Sequence, residues 1–350
     1  MQELLGRIAA LDPEASVGIR IIACFDELIA GNVNTRGLLA TAAALTGCPA
    51  GFRADGAAGL RVGLDGEALP AAPPPDGAAR LGEASDVEVW LEREGPSHAN
   101  DALVLERLLL AAGVRRGRDR RDLEPRRDLG VVLDPDVDDD ARREAAGRLG
   151  LGAARSYRVL AAPLFARWAA HPPGLGDVVP TRHGPIHVLV LPATAALPDV
   201  EPAGVGHEAP PAALHRSFAT ALTALRLSGP GEGIVHADEY GGLLDLLAGS
   251  ATPPSTDGDL LAKVMVHSWA RETVDALLRT NTLREAARLA QVHHSTLQPR
   301  VDTLTAELGF NPTHGYGRAR LGLSYLTWRL ENSRVLDLPT PQGAAPDRHA

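Results

Sequence analysis

The sequence predicts a multidomain α+β chain, on three observations. Between residues 48 and 240, short apolar segments are broken repeatedly by glycine and proline and separated by helical runs. IHVLVLPA at 186–193 is an uninterrupted apolar strand pattern. Beyond residue 256 the apolar spacing turns wholly helical, at steps of three and four.

Length and composition agree with this. A chain of 350 residues is long enough for two or three domains, and 45% hydrophobic with 23% charged residues describes a folded body with a polar surface. No run approaches the roughly 18 apolar residues of a membrane span. The opening MQELLGRIAALDPEAS carries acids and lacks the basic-then-apolar order of a signal peptide, so a cytoplasmic chain is expected. Cys24 and Cys48 have no metal-ligand or disulfide-framework spacing and read as buried thiols.

In chain order, helices are expected over Met1–Leu11, Ser16–Ala30 and Thr35–Thr46. Glycine- and proline-punctuated strands follow to Glu94. Among them, Val87, Val89 and Leu91 alternate with Glu88, Trp90 and Glu92 as on a half-buried strand. NDALVLERLLLAA at 100–112 returns to helix. VRRGRDRRDLEPRR at 114–127 reads as a solvated linker, because acids interrupt its arginines. A second domain begins near Gly130, with strands at 157–164 and 186–193, a helix over 211–227 and a strand and short helix from 233. Leu243, Leu244, Leu246 and Leu247 read as the core face of that last helix. ATPPSTDGD is a linker, Leu260–Arg279 one long helix, and LPTPQGAAPDRHA a tail without packing pattern. The expected domains are therefore 1–120, 128–250 and 256–335, with a disordered tail at 336–350.

The segment with the clearest functional pattern is TLREAARLAQVHHSTLQPRVDTLTAELG, 282–309. Thr282 and Glu285 form a capping box, and Ala286, Ala287 and Leu289 lie on a short helix with small residues where a second helix must approach. Gln291 and Val292 occupy a turn, with Val292 as a buried plug. Leu297, Val301, Leu304 and Leu308 give the second helix its inner face, and Gly309 ends it. This is the pattern of a helix-turn-helix, whose second helix enters the DNA major groove. From 281 to 330, six arginines (Arg284, Arg288, Arg300, Arg318, Arg320, Arg329) stand against Glu285, Asp302 and Glu307, in a chain of net charge −9. A basic module on an acidic body suits a protein that meets DNA through one end.

In that geometry His294, Ser295 and Gln298 are candidate base readers, Gln298 through a bidentate pair with adenine. Thr282, Arg284, Thr296 and Arg300 are candidate phosphate contacts, which position without specifying. For Arg284 and Arg300 a solvated face or a salt bridge with Glu285 or Asp302 is the competing reading. His293 and His294 point about 100° apart with no third ligand at i+4, so capping and DNA contact are read there and no metal. The acidic run Asp134, Asp136, Asp138, Asp139, Asp140 fails as a calcium loop, with Asp139 where glycine and Ala145 where glutamate are needed. It reads as a solvated helix start. No phosphate loop, nucleophile elbow or His-Glu-x-x-His occurs, so no catalysis and no cofactor are expected.

These residues resemble the PucR/CdaR family of bacterial transcription regulators, named for purine-catabolism and sugar-diacid regulation. The match rests on AARLAQVHHSTLQPRV at 286–301, where His293, Thr296, Leu297 and Arg300 stand as in the family, and on TLTAELG after it. LDP at 133–135, RLGL at 148–151 and HADEYGGLLDLLA resemble the family's degenerate GGDEF-like domain. The first domain resembles, more loosely, a GAF-type sensor. The resemblance implies a GAF-like α+β sensor, a GGDEF-like α/β sheet domain and an all-α helix-turn-helix domain. It implies sequence-specific binding of double-stranded DNA, a homodimer or higher homo-oligomer, and control by a small-molecule effector or partner. The GGDEF-like segment lacks the acidic signature of a cyclase. The alternative is a ligand-binding or protein-interaction regulator whose helix-turn-helix has lost DNA binding. It is kept by the departures Ser295 for asparagine and Pro299 for tyrosine and by the acidic body; His294 also stands where the family has arginine or proline. If His293 caps the helix, Pro299 falls in its second turn and costs on the order of 3 kcal/mol. A start near Thr296 puts it in the first turn at little cost, and that later start is the expectation.

Overall fold

The computed structural model describes residues 13–337 apart from 32, 55–58, 83–86, 119–122, 154, 171–173, 230–231 and 250–255. The expected helix at Met1–Leu11 and residues 251–255 of the linker expected over 251–259 fall outside these, while 256–259 are not linker but the first turn of the helix Thr256–Val264, where Asp257 and Asp259 suit the helix N-terminus. The described residues combine antiparallel and mixed sheets with helices, an α+β architecture. They form two compact units, Met1–Glu239 with Val335–Ala350, and Tyr240–Arg334.

The first unit opens with helices α1 (Pro13–Ala30) and α2 (Thr35–Thr46), followed by strands β1 (Ala50–Ala54), β2 (Leu60–Val62), β3 (Ala68–Leu69), β4 (Ala79–Gly82) and β5 (Val87–Leu91). These form an antiparallel sheet of order β3-β2-β1-β5-β4, closed by α3 (Asp101–Arg118). Phe25, Leu28, Leu39, Val89, Leu91, Val104 and Leu108 belong to its core. The β5 alternation places Val87, Val89 and Leu91 inside, but Trp90 is also fully buried, from the opposite face. Its indole lies over Gly51, where a Cβ would collide with the ring, and donates to Glu92 Oε1 at 3.0 Å. Glu92 in turn holds Arg61 in a bidentate pair at 2.5–2.6 Å. Glycine on the paired strand makes the slot, a cross-strand relation that a single strand's periodicity does not record.

A buried ion pair joins the ends of two helices in this half. Asp101, 1% exposed, accepts Arg93 Nε at 2.6 Å and Nη2 at 2.7 Å, and the His98 N–H at 2.9 Å. Arg93 Nη2 also donates to the Thr46 carbonyl at the end of α2, at 2.6 Å.

Of the charged stretch expected as a linker, residues 114–118 and 123–127 are helical. α3 runs to Arg118, and α4 (Leu123–Leu133) begins with Pro125 in its first turn, where a missing N–H costs nothing. The apolar segment expected at Gly130 is the end of α4, with Leu129, Val132 and Leu133 buried. The acidic run then makes a turn into α5 (Asp139–Arg148). Asp138 caps the helix by accepting the Asp140 and Ala141 N–H groups at 3.0 and 2.9 Å, which hold its carboxyl below the usual range. Arg142, 2% exposed, gathers the loop from inside, donating to the carbonyls of Asp134 and Val137 at 2.8 and 2.6 Å and to Asp139 at 2.6 Å.

The second sheet has the order β12-β11-β6-β9-β8. Its strands are β6 (Tyr157–Pro163), β8 (Leu175–Thr181), β9 (Gly184–Pro192), β11 (Ala203–Val205) and β12 (Ile234–His236), while β7 (Arg167–Trp168) and β10 (Val200–Glu201) pair separately. The strand expected at 186–193 is β9, buried from Pro185 to Leu191 between β6 and β8. β11 and β12 are parallel and joined through α6 (Leu214–Leu227), a βαβ unit. α6 lies directly on β11 because the strand carries Gly204 and is followed by Gly206. A Cβ on Gly206 would sit 2.7 Å from the Ser217 carbonyl carbon, and one on Gly204 2.8 Å from Leu225 Cα. Ser217 Oγ accepts the Val159 N–H at 3.0 Å, fixing the helix to β6 as well.

The two sheets of this unit share packing. Leu164 and Val178 enter the first sheet's core. Asp177 of β8, 2% exposed, accepts the Asn34 N–H at 3.2 Å and the Asn34 side-chain amide, while Asn34 caps α2 by accepting the Gly37 N–H at 2.7 Å. Leu336 packs against the second sheet's core, and the tail from 338 onward lies outside the described residues.

The second unit is helical: α7 (Gly242–Ala248), α8 (Thr256–Val264), α9 (Ala270–Arg279), α10 (Leu283–Leu289), α11 (His294–Leu308) and α12 (Gly315–Glu331). On α7 only Leu244 and Leu247 are buried. Leu243 and Leu246 are 43% and 67% exposed, so the four leucines do not share one face. The single long helix expected over 260–279 is two helices, α8 and α9, broken at 265–269. The break turns the chain so that Leu261, Val264, Val274 and Leu277 all reach one core, leaving Val266 83% exposed at the bend.

Candidate nucleic-acid interface

Thr282 caps α10, accepting the Glu285 N–H at 3.2 Å, and Glu285 Oε2 reaches back to the Asn281 N–H at 3.3 Å. Ala286 and Ala287 are buried in the core shared with α11, and their small side chains let α10 and α11 approach closely. The turn is made by Gln291 at φ 54°, the left-handed region, with the Val292 N–H donating to the Ala287 carbonyl at 2.9 Å. Val292 is half-buried and packs against the same core. α11 then buries Leu297, Val301, Leu304 and Leu308, and ends at Gly309 with φ 72°.

The start of α11 differs from the expectation. His293 is the cap, with Nδ1 accepting the Ser295 N–H at 3.3 Å, and the helix begins at His294. Pro299 therefore stands in the second turn, inside the helix. The core residues on both sides of it hold the helix together despite the lost bond to the Ser295 carbonyl. Pro299→Ala restores that bond, and an increase in unfolding free energy of about 1–3 kcal/mol is expected in chemical denaturation of this unit.

His294, Ser295, Thr296 and Gln298 are exposed. Ser295 Oγ lies 2.7 Å from His293 Nδ1, and Gln298 Nε2 donates to Asp302 Oδ1 at 3.0 Å. At 100° per residue Ser295, Gln298, Pro299 and Asp302 fall on the side of α11 opposite Leu297, Val301 and Leu304. Arg284 is exposed on α10, as is Arg288 one turn later. Arg300 is half-buried: it donates to Thr273 Oγ1 at 3.3 Å and its guanidinium lies 5.6 Å from the Trp269 ring centre. Arg318 donates to the Leu278 and Thr280 carbonyls at 3.0 and 2.7 Å, closing the end of α9. Arg320 grips Asp257 at 2.7–2.8 Å and stacks 3.9 Å over Phe310. Both carboxyl and guanidinium respond, Asp257 falling below and Arg320 rising above its ordinary pKa through that bond.

The structure thus brings Thr282, Arg284, His293, His294, Ser295, Thr296 and Gln298 to the exposed side of α10 and the start of α11, and sets Arg300 against α9. It also ties Asp302 to Gln298, a residue that the sequence offered only as a partner for Arg300. The i, i+4 spacing of Gln298 and Asp302 is the signal that finds the pair.

No family model matches this sequence, and no curated protein matches it. Among solved structures it is similar to the crystal structure of a regulator of polyketide synthase expression from Bifidobacterium adolescentis, at 15% identity over 62% of this chain and 96% of that one, with a TM-score of 0.28. Among the described residues, no helix is long and apolar enough to cross a membrane.

Proposed function

We propose that this chain is a sequence-specific DNA-binding transcription regulator of the PucR/CdaR type. In this reading residues 240–334 bind DNA, and the N-terminal sheets, GAF-like and degenerate GGDEF-like, take an effector or partner. The reading is carried by α10, the left-handed turn at Gln291 and α11, whose inner face is apolar and whose outer face exposes Ser295, Gln298, Pro299 and Asp302. A helix so mounted presents its N-terminal half to base edges in the major groove. A homodimer on a two-fold symmetric site doubles the few contacts that one such helix makes.

A second reading, an interaction module without DNA binding, draws on the use of Arg300, Arg318 and Arg320 inside the unit and on Asp302 at the outer face. Arg284 and Arg288 decide between the two readings. In mobility-shift titrations across salt, the affinity of the full chain for its selected site is expected to fall linearly on logarithmic axes. Arg284→Ala and Arg288→Ala are each expected to reduce the slope by about 1 while leaving the preferred sequence unchanged. Absence of binding to any duplex at low salt supports the interaction module.

A further inference from the structure

We propose, resting on the DNA-binding reading above, that Asp302 is a specificity-determining residue which selects cytosine in the base pair beside the one read by Gln298. The argument starts from the direction of three hydrogen bonds on the outer face of α11. Gln298 Nε2 donates to Asp302 Oδ1 at 3.0 Å, so the amide oxygen is the end turned away from the carboxylate. Ser295 Oγ stands 2.7 Å from His293 Nδ1, which also takes the Ser295 N–H at 3.3 Å and so carries a lone pair. The serine hydroxyl therefore donates to the imidazole, and its oxygen is left to accept. Asp302 itself is acceptor-only when ionised.

The outer face thus offers Ser295 Oγ, Gln298 Oε1 and the second oxygen of Asp302, all acceptors, over seven residue steps or about 10 Å of helix. A major groove about 12 Å wide admits this row. Acceptors on the helix require donors on the bases. In the major groove these are the exocyclic amines of adenine and cytosine, while guanine N7 and O6 and thymine O4 are acceptors that the Asp302 charge repels. Gln298 keeps its second amide hydrogen for adenine N7 while Oε1 accepts from N6. Asp302 has no donor, so adenine N7 is unmatched there and cytosine N4 is the fitting partner. The same carboxylate fixes which end of the Gln298 amide faces the groove. An acid on this face lowers affinity for phosphate, a cost that discrimination between sequences offsets.

The test is selection of binding sites by the full chain from a random duplex library, followed by affinity measurements on single-base variants of the enriched site. The wild-type site is expected to contain an adenine next to a cytosine, with about tenfold weaker binding when that cytosine is replaced. Asp302→Asn is expected to lose the cytosine preference, to accept adenine there through its new donor and no longer to repel guanine or thymine, with the other positions kept. Gln298→Ala is expected to lose the adenine position and to weaken the cytosine preference, which makes it the second probe should Asp302→Asn fold poorly. If wild type and Asp302→Asn enrich the same site, the inference is overturned while the DNA-binding reading stands. If the wild type enriches no sequence, both are overturned.

Discussion

Gly206→Val is expected to be among the most damaging single substitutions in the first unit, lowering its unfolding free energy by about 3 kcal/mol or more. The reason is the absence of anything flexible to move. A Cβ at this position meets the Ser217 carbonyl carbon at 2.7 Å and Ser217 Oγ at 2.8 Å, and the backbone of a 14-residue helix cannot be displaced as a side-chain tip can. Overpacking ordinarily costs 1–3 kcal/mol, and here the separation also loosens the Ser217–Val159 hydrogen bond and the buried contacts of Leu214, Phe218 and Ala221. For a unit of this size a loss of 3 kcal/mol corresponds to a fall in Tm of roughly 6–12 °C, readable by calorimetry. Gly206→Ala reports the same clash with one carbon only. An unchanged Tm in both variants contradicts the close approach of α6 to β11.

Arg93→Leu is the second large effect expected, at about 3–5 kcal/mol. The substitution leaves Asp101 buried with one backbone donor, His98, in place of a bidentate guanidinium, and frees the Thr46 carbonyl at the end of α2. Burial opposes ionisation of Asp101, yet the Arg93 bonds and the His98 N–H outweigh it and hold the carboxyl below its ordinary pKa. The sign follows from that depression. The folded state binds the proton less tightly than the unfolded state, so the stabilisation is fully present above the ordinary carboxylate range and is lost as pH falls through the folded pKa. Denaturation of wild type and Asp101→Asn between pH 3 and 7 is expected to show a gap that is constant above about pH 5 and narrows below about pH 4. A gap independent of pH places the stabilisation elsewhere than in the charge of Asp101.

Both substitutions act on the unit that the proposed function assigns to an effector or partner. Within it the Asn34–Asp177 bonds join the cap of α2 to β8, so one end of the first sheet's helical layer is fixed to the second sheet.

The sequence by itself determined the α+β class, the strand at β9, the first and second helices of the chain's described part, and the two helices with their turn from Thr282 to Gly309. Each of these is set by contacts within a few residues: alternation on a strand, four-residue spacing on a helix, a threonine cap, a glycine end. In the charged stretch, 114–118 and 123–127 are helical although acids interrupt the arginines, since arginine is a good helix former and Pro125 sits in a first turn. Tertiary structure alone decided what the exposed polar groups do. It buried Trp90 over Gly51, drew Arg142 into the acidic loop, broke the helix at 265–269 to close the helical core, and kept α11 helical through Pro299 from His294. It also set Arg300 against Thr273 and Arg318 on the end of α9, paired the exposed Arg320 with Asp257, and left Gln298 bound to Asp302. Long cationic side chains reach several partners from one backbone position, and which of them lies within hydrogen-bond distance depends on elements up to 63 residues away in the chain.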